Sequence, residues 1–391
     1  MVSSLTVRQK HTAIGQPEMG FNTDTLYITR FIAALCIVVH HFWPPSLVPG
    51  EWAENLIHNV NEGVNYFFFL SGFVMVIAYR KDLIKGTARF PRWKYWIKRF
   101  SRIYPVYMFA LLSVVAYHYL VEYSFNHIGL RFPFEAAMIQ TWIGQGSLNS
   151  PAWSVSCEIF FYLSFPFFAP RLFSFDGKKM LQKSILLYIG IAALTVVGYQ
   201  AIAYNDTHQG SLYGFIYGLL TYHPALRILT FVAGSFCAVW FLKNTDTLKR
   251  LRPFSPYIMV FSVVAIFTFL AVLPMKENSM LNYGLLTPLY FLFVISICNM
   301  SGRLNKILSH QWCIFLGDIS YGMYILQVPV QMFFINYIMD TKTPLGFTIY
   351  LAILLVVSAV SYFYLEKILR DSWNKKLLSK ISAKTDLVQQ H

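Results

Sequence analysis

Residues 25–43 read TLYITRFIAALCIVVHHFW, and the fold follows from this stretch. As a helix rising 1.5 Å per residue it extends about 28 Å, close to the ~30 Å hydrocarbon thickness of a bilayer. Apart from Arg30, His40, His41 and a few hydroxyls it is apolar. Inside a bilayer every backbone N–H and C=O must find its partner within the segment, so the run is expected to be a transmembrane α-helix. Nine more runs of similar kind follow at about 60–79, 103–122, 152–171, 184–204, 223–242, 254–274, 281–300, 312–338 and 345–365. The expected fold class is therefore an all-α integral membrane protein of about ten transmembrane helices, with both termini cytoplasmic.

The loops test that count. With the amino end inside, one side carries Arg8 and Lys10, the nine basic residues from Arg80 to Arg102, and Arg171, Lys178, Lys179 and Lys183. It also carries Lys243, Lys249, Arg250, Arg252, Arg303, Lys306 and six Lys/Arg beyond Glu366. That places 27 of the 32 basic residues on one side, against Arg131, Lys276 and Lys342 on the other. A miscounted helix would invert every later loop and erase the bias, which follows the positive-inside rule.

Composition agrees. The 391 residues are 56% apolar and only 13% charged, against about a quarter charged in soluble chains. Mean hydropathy is +0.48. The net charge of +14 is spread over six loop and terminal segments, so no nucleic-acid role is implied. Cys36, Cys157, Cys237, Cys298 and Cys313 lie in apolar runs without paired spacing, which argues for small buried hydrophobes over a disulfide framework or a zinc site. The first 24 residues are polar and lack a signal-peptide pattern. The Asn205-Asp206-Thr207 sequon is too short to carry weight. The expected organisation is a cytoplasmic segment at 1–24, a ten-helix membrane domain at 25–368 and a basic cytoplasmic tail at 369–391.

Ionisable groups inside spans are costly, which makes each a candidate for function. Arg30 and His41 fall within about 20° of each other on the helical wheel and about 16 Å apart along the axis. They share their face with Ala34 and Ile37. Two stations in one passage would explain this, as would an arginine snorkelling to headgroups and a histidine capping the helix. WSVSCEIFFY, Trp153 to Tyr162, sets Ser154, Glu158 and Tyr162 four residues apart on one stripe. Glu158 is expected at a depth similar to His41, where a carboxylate would orient the ring; pairing with Arg227 is the alternative. Arg99 and Arg102, in KRFSR at 98–102, would share a face if helical and suit phosphate, or they serve topology alone.

Taken together, these places resemble the acyltransferase-3 family of membrane O-acyltransferases, which includes O-antigen, exopolysaccharide and Nod-factor acetylases. The resemblance rests on Arg30 and His41 with ten residues between them, on Gly63-Val64-Asn65-Tyr66-Phe67-Phe68-Phe69-Leu70-Ser71-Gly72-Phe73, and on Arg99, Arg102, Ile103, Pro105 and Tyr107. It continues through Trp153, Ser154 and Glu158, then Pro224, Arg227 and Gly234, Gly317-Asp318-Ile319-Ser320-Tyr321 with Tyr324, and Glu366. The chain departs from the family pattern at Ile159, where a second acidic residue is common, and at Gln327, where histidine is common. It also lacks a proline near Lys367 and Ile368.

The resemblance implies transfer of an acetyl or other acyl group from cytosolic acyl-CoA to a hydroxyl of an extracytoplasmic or lipid-linked carbohydrate. It implies His41 and Glu158 as catalytic residues and Arg30, Arg99 and Arg102 as donor-binding residues. Trp153, Ser154, Arg227 and Tyr321 would serve the acceptor or the oxyanion. The implied partners are acyl-CoA, a polysaccharide or lipid-linked glycan, and membrane lipid; no bound cofactor or metal is implied. The implied location is the bacterial inner membrane. A transporter or flippase for a lipid-linked sugar is the rival expectation, but no related halves are visible in the chain.

Overall fold

The computed structural model describes residues 21–84, 90–122, 128–174, 211–274 and 284–377, with short stretches between 182 and 198. Among the described residues all regular structure is helical. The long helices are α1 Thr25–Phe42, α2 Gly63–Ile84, α3 Arg92–Tyr117, α4 Ala152–Leu172, α5 Pro224–Lys243, α6 Ser255–Val272, α7 Thr287–Asn299, α8 Gln311–Tyr337 and α9 Pro344–Ser361. Seven of the described helical segments are long and apolar enough to cross a membrane, so the chain is an all-α, multi-pass membrane protein. The run at 184–204 and both chain ends, 1–20 and 378–391, lie wholly or mostly outside the described residues, as does the sequon at 205–207.

Two boundaries differ from the sequence expectation. α3 starts at Arg92 rather than near 103, so the basic stretch containing Arg99 and Arg102 is itself helical and continuous with the apolar part. α7 covers 13 residues, because Pro288 fixes its first turn and Gly284, at φ +95°, turns the chain just before it.

Glycines set the closest helix approaches. A Cβ on Gly72 would strike the Phe231 carbonyl, and one on Gly234 would strike the Phe69 carbonyl, so α2 and α5 pack backbone against backbone. Gly317 of α8 meets the backbone of Tyr27 in α1 in the same way. Small residues at such contacts are the usual means by which helices associate where water supplies no hydrophobic drive. α6 lies at the margin, with Tyr257, Val260, Phe261 and Val264 exposed. All five cysteines are unpaired, and Cys157, Cys237 and Cys298 are buried.

Prolines inside helices free carbonyls that other elements then satisfy. Pro166 has no N–H for the Tyr162 carbonyl, and the Trp96 indole donates to it at 3.1 Å. Pro329 likewise frees the Ile325 carbonyl, which accepts from Asn149 Nδ2 at 2.8 Å. Asn149 belongs to the segment joining α3 and α4, expected to be a long outer loop. From residue 128 onward that segment is folded into the bundle. Glu135, Gln140 and Thr141 are 0% exposed and Asn149 is 1% exposed. The backbone N–H of Leu148 donates to Glu135 Oε1 at 2.6 Å, and Thr141 Oγ1 to Ser156 Oγ at 2.7 Å.

Candidate active site

Five helices converge on a cavity of about 90 Å³. α1 contributes Arg30, α2 Ser71, α3 Arg99 and Arg102, α4 Ser154, Glu158 and Tyr162, and α8 Ser320, Tyr321 and Tyr324. The spacing-four stripe of α4 therefore faces one wall, and the helical course of α3 brings Arg99 and Arg102 to another. Phe67, Phe68, Leu70, Val74 and Met75 of α2 make the apolar part. The charged side chains at the wall are three arginines and one carboxylate.

Polar groups here are held by specific partners. Ser71 Oγ donates to Glu158 Oε1 at 2.9 Å. Ser154 Oγ and Tyr324 Oη are 2.7 Å apart, and the Tyr324 hydroxyl also reaches the Pro151 carbonyl at 2.9 Å. Tyr321 Oη donates to the Ile103 carbonyl at 3.0 Å, which ties α8 to α3 beside the cavity. A π turn at Tyr362–Lys367 continues α9 and buries Glu366, leaving it 3% exposed. Its Oε1 lies 3.9 Å from Arg102 Nε and 3.6 Å from Arg370 Nη1. Such a turn inserts an extra residue and re-aims the side chains that follow. Arg99, by contrast, keeps its buried Nε without a hydrogen-bond partner among the described residues.

The other end of α1 is arranged differently. His41 Nδ1 lies 3.0 Å from Gln327 Oε1 of α8, and the ring is exposed. His40 Nδ1 is 3.2 Å from the Ile57 carbonyl. The expected pairing of His41 with Glu158 is not made: Gln327 holds the histidine and Ser71 holds the carboxylate. Glu158 stands at the level of Arg30 rather than that of His41, because the two line the same small cavity. The reason is that α4 begins inside the fold. Its first residue, Ala152, is 1% exposed, and Gln140 and Asn149 fold over that end. Depth counted from an assumed surface start was therefore too shallow.

The alternative partner of Glu158 is not taken either. Arg227 sits with Cζ 5.3 Å above the Trp153 ring and donates to the Thr221 carbonyl at 2.5 Å. The buried carboxylate within its electrostatic reach is Glu62. Arg30, Arg99, Arg102, Glu158, Ser154 and Tyr321 are thus brought together, whereas His41, Trp153 and Arg227 lie off the cavity wall.

A family profile described as "Acyltransferase domain" matches residues 25–363. The chain belongs to this acyltransferase family. The chain is 25% identical over 223 residues to "Acyltransferase MdmB" of Streptomyces mycarofaciens, covering 54% of this chain and 55% of that one. It is 23% identical over 369 residues to "Putative O-acetyltransferase SACOL0978" of Staphylococcus aureus (strain COL), covering 89% and 57%. A third relative, "Putative acetyltransferase ORF330" of Acidianus two-tailed virus, is 24% identical over 301 residues, covering 76% and 79%. The chain spans little more than half the length of the first two relatives. No solved structure matches it.

Several wall residues carried no assigned role in the sequence. Tyr162 closes the four-residue stripe begun by Ser154, and Tyr324 lies one turn beyond Ser320 and Tyr321 on the same helix face, so helical spacing alone could have flagged both. Ser71 had no such signal, since it acts across to another helix; Gln327, off the wall, stood out only as a departure from the family pattern.

Proposed function

We propose that the protein is an acyl-CoA-dependent membrane O-acyltransferase that esterifies a hydroxyl of an extracytoplasmic or lipid-linked carbohydrate. Exopolysaccharide and O-antigen are the acceptor classes in view, and the bacterial inner membrane is the proposed location. The observation that carries this is the convergence of Arg30, Arg99 and Arg102 on one cavity whose wall holds a single carboxylate, Glu158. An excess of guanidinium in a confined site is stabilised by an anion, and guanidinium forks match phosphate oxygens. The basic flank of α3, with Lys94 and Lys98 near Arg99, supports reading this cavity as open towards the side richest in Lys and Arg. That is the side from which a cytosolic thioester would enter.

In the proposed reaction the donor's phosphates rest at Arg99 and Arg102, and its arm runs past Arg30 along α1 towards His41. His41 takes the proton of the acceptor hydroxyl as general base. The hydroxyl oxygen bonds to the thioester carbonyl carbon, the C–S bond breaks, and the proton passes to the departing thiolate. The products are the carbohydrate ester and free CoA. Trp153, with Arg227 above its face, is the aromatic residue proposed to serve the acceptor. Ser154 and Tyr321, hydroxyl-bearing and on the cavity wall, lie on the donor's route. Glu158 balances the arginines while the donor is absent.

Purified protein in lipid vesicles, given acetyl-labelled CoA and candidate glycans, tests the proposal. Acceptor-dependent formation of a labelled ester is the expected result. Movement of unmodified sugar across the vesicle without ester formation would replace the enzyme with a transporter.

A further inference from the structure

We infer that Gln327 is the positioning residue for His41, fixing which ring nitrogen carries the proton. The inference rests on the proposed role of His41 as base and goes beyond it by naming what prepares the base.

The assignment follows from donors and acceptors alone. The Gln327 side chain is 0% exposed, and its amide contacts two groups. One is the Tyr324 carbonyl, 2.7 Å from Nε2. A carbonyl only accepts, so the NH2 group must face it, and the amide oxygen must face His41. That oxygen also only accepts, and it lies 3.0 Å from His41 Nδ1. Nδ1 must therefore carry the hydrogen. In the neutral ring this leaves Nε2 unprotonated, as a general base requires.

The amide itself has little freedom. Tyr350 Oη donates to the Gln327 backbone carbonyl at 2.8 Å, which holds α9 to α8 at this residue. The Tyr324 residue that receives the amide N–H sends its own hydroxyl to Ser154 on the cavity wall. One helix face thus links the ring of His41 to the arginine cavity through Gln327 and Tyr324. A neutral amide differs from a carboxylate in this position: it selects the tautomer without adding charge that would hold the proton on the ring. The proton is then readily released to the leaving thiolate.

The test reads the ring directly and then the rate. Protein labelled with 15N-histidine is studied by solid-state NMR in bilayers, and the His41 signal is identified among the 10 histidines by its loss in His41→Ala. The native protein should show His41 with hydrogen on Nδ1, and Gln327→Leu should abolish that preference. In turnover, Gln327→Leu should lower kcat by about 10–100-fold with the donor KM changed less than about twofold, the size expected for loss of a ligand-orienting partner. Gln327→Glu presents an acceptor oxygen at the same place and should restore hydrogen on Nδ1. A His41 signal with hydrogen on Nε2 in the native protein, or one unchanged in Gln327→Leu, overturns the assignment. Absence of hydrogen on Nδ1 in the Glu variant also overturns it. The NMR signal needs no turnover, so this outcome is separate from failure of the proposed reaction, which full activity in His41→Ala would demonstrate.

Discussion

The two ends of α1 hold their polar groups in opposite ways. At Arg30 the neighbourhood is rich in charge, and its guanidinium groups have few close partners among the described residues: Arg99 keeps an unpartnered Nε, and Arg102 meets Glu366 only at 3.9 Å. At His41 the polar atoms are closely matched, from Nδ1 to Gln327 and from Gln327 to Tyr324. A buried guanidinium without close partners is expensive, and that expense is removed when an anion arrives. A ring fixed by a pinned amide gains nothing further from a ligand, but it is already oriented for chemistry. The contrast separates a region built to bind from a region built to act.

The largest expected effect lies at the acting end. His41→Ala should reduce ester formation by about 10²–10⁴-fold while the protein still inserts and accumulates. Quantifying product beside membrane-fraction yield measures both, and near-native turnover in the variant would erase the contrast. His40→Ala should be milder, since its Nδ1 is occupied by a backbone carbonyl.

Next come the arginines of the binding end. Arg99→Ala should raise the donor KM by about 10–100-fold, the worth of one or two charge-assisted hydrogen bonds, with kcat little changed. Thermal unfolding of this variant should stay close to native protein, because Arg99 Nε has no hydrogen-bond partner to lose among the described residues. Arg102→Ala should raise KM comparably and also lower Tm, because Glu366 then keeps Arg370 alone as its close cation. If both variants changed kcat and left KM fixed, the cavity would not be a donor site.

Glu158→Gln sharpens the comparison further. With Glu158 among the arginines and not beside His41, its neutralisation should shift the donor KM by about three- to fivefold, as an electrostatic change of just under ~1 kcal/mol implies. A pure loss of kcat with KM constant would instead mean that the two ends meet during turnover. The smallest effect is expected from Asn149→Ala. Leaving the Ile325 carbonyl unsatisfied should cost about 1–3 kcal/mol of stability, seen as a lowered Tm, with the donor KM unaltered.

Much of this was legible in the sequence. Apolar length marked the helices, and a spacing of four put Ser154, Glu158 and Tyr162 on one wall. The arginine pair in 98–102 reached the cavity once the basic stretch proved helical. What misled was depth. Glu158 was matched to His41 by counting down from a surface that the folded 128–151 segment does not leave at the start of α4. The two glycines of the 63–73 motif pack within the chain: Gly72 lies against α5, and Gly63 lies against Ala33 and Ile37 of α1.

Hydropathy and charge along the chain determined that this protein spans a membrane as helices, because both properties act locally, one segment against its solvent. Which side chains meet was decided by tertiary structure alone. Gln327 reaches His41 across 286 positions, and Ser71 reaches Glu158 across 87. Short-range interactions between residues so far apart depend on how each helix is rotated and how deep it sits. Glycine contacts and proline-freed carbonyls set those two quantities, and neither has a period that can be read along one chain.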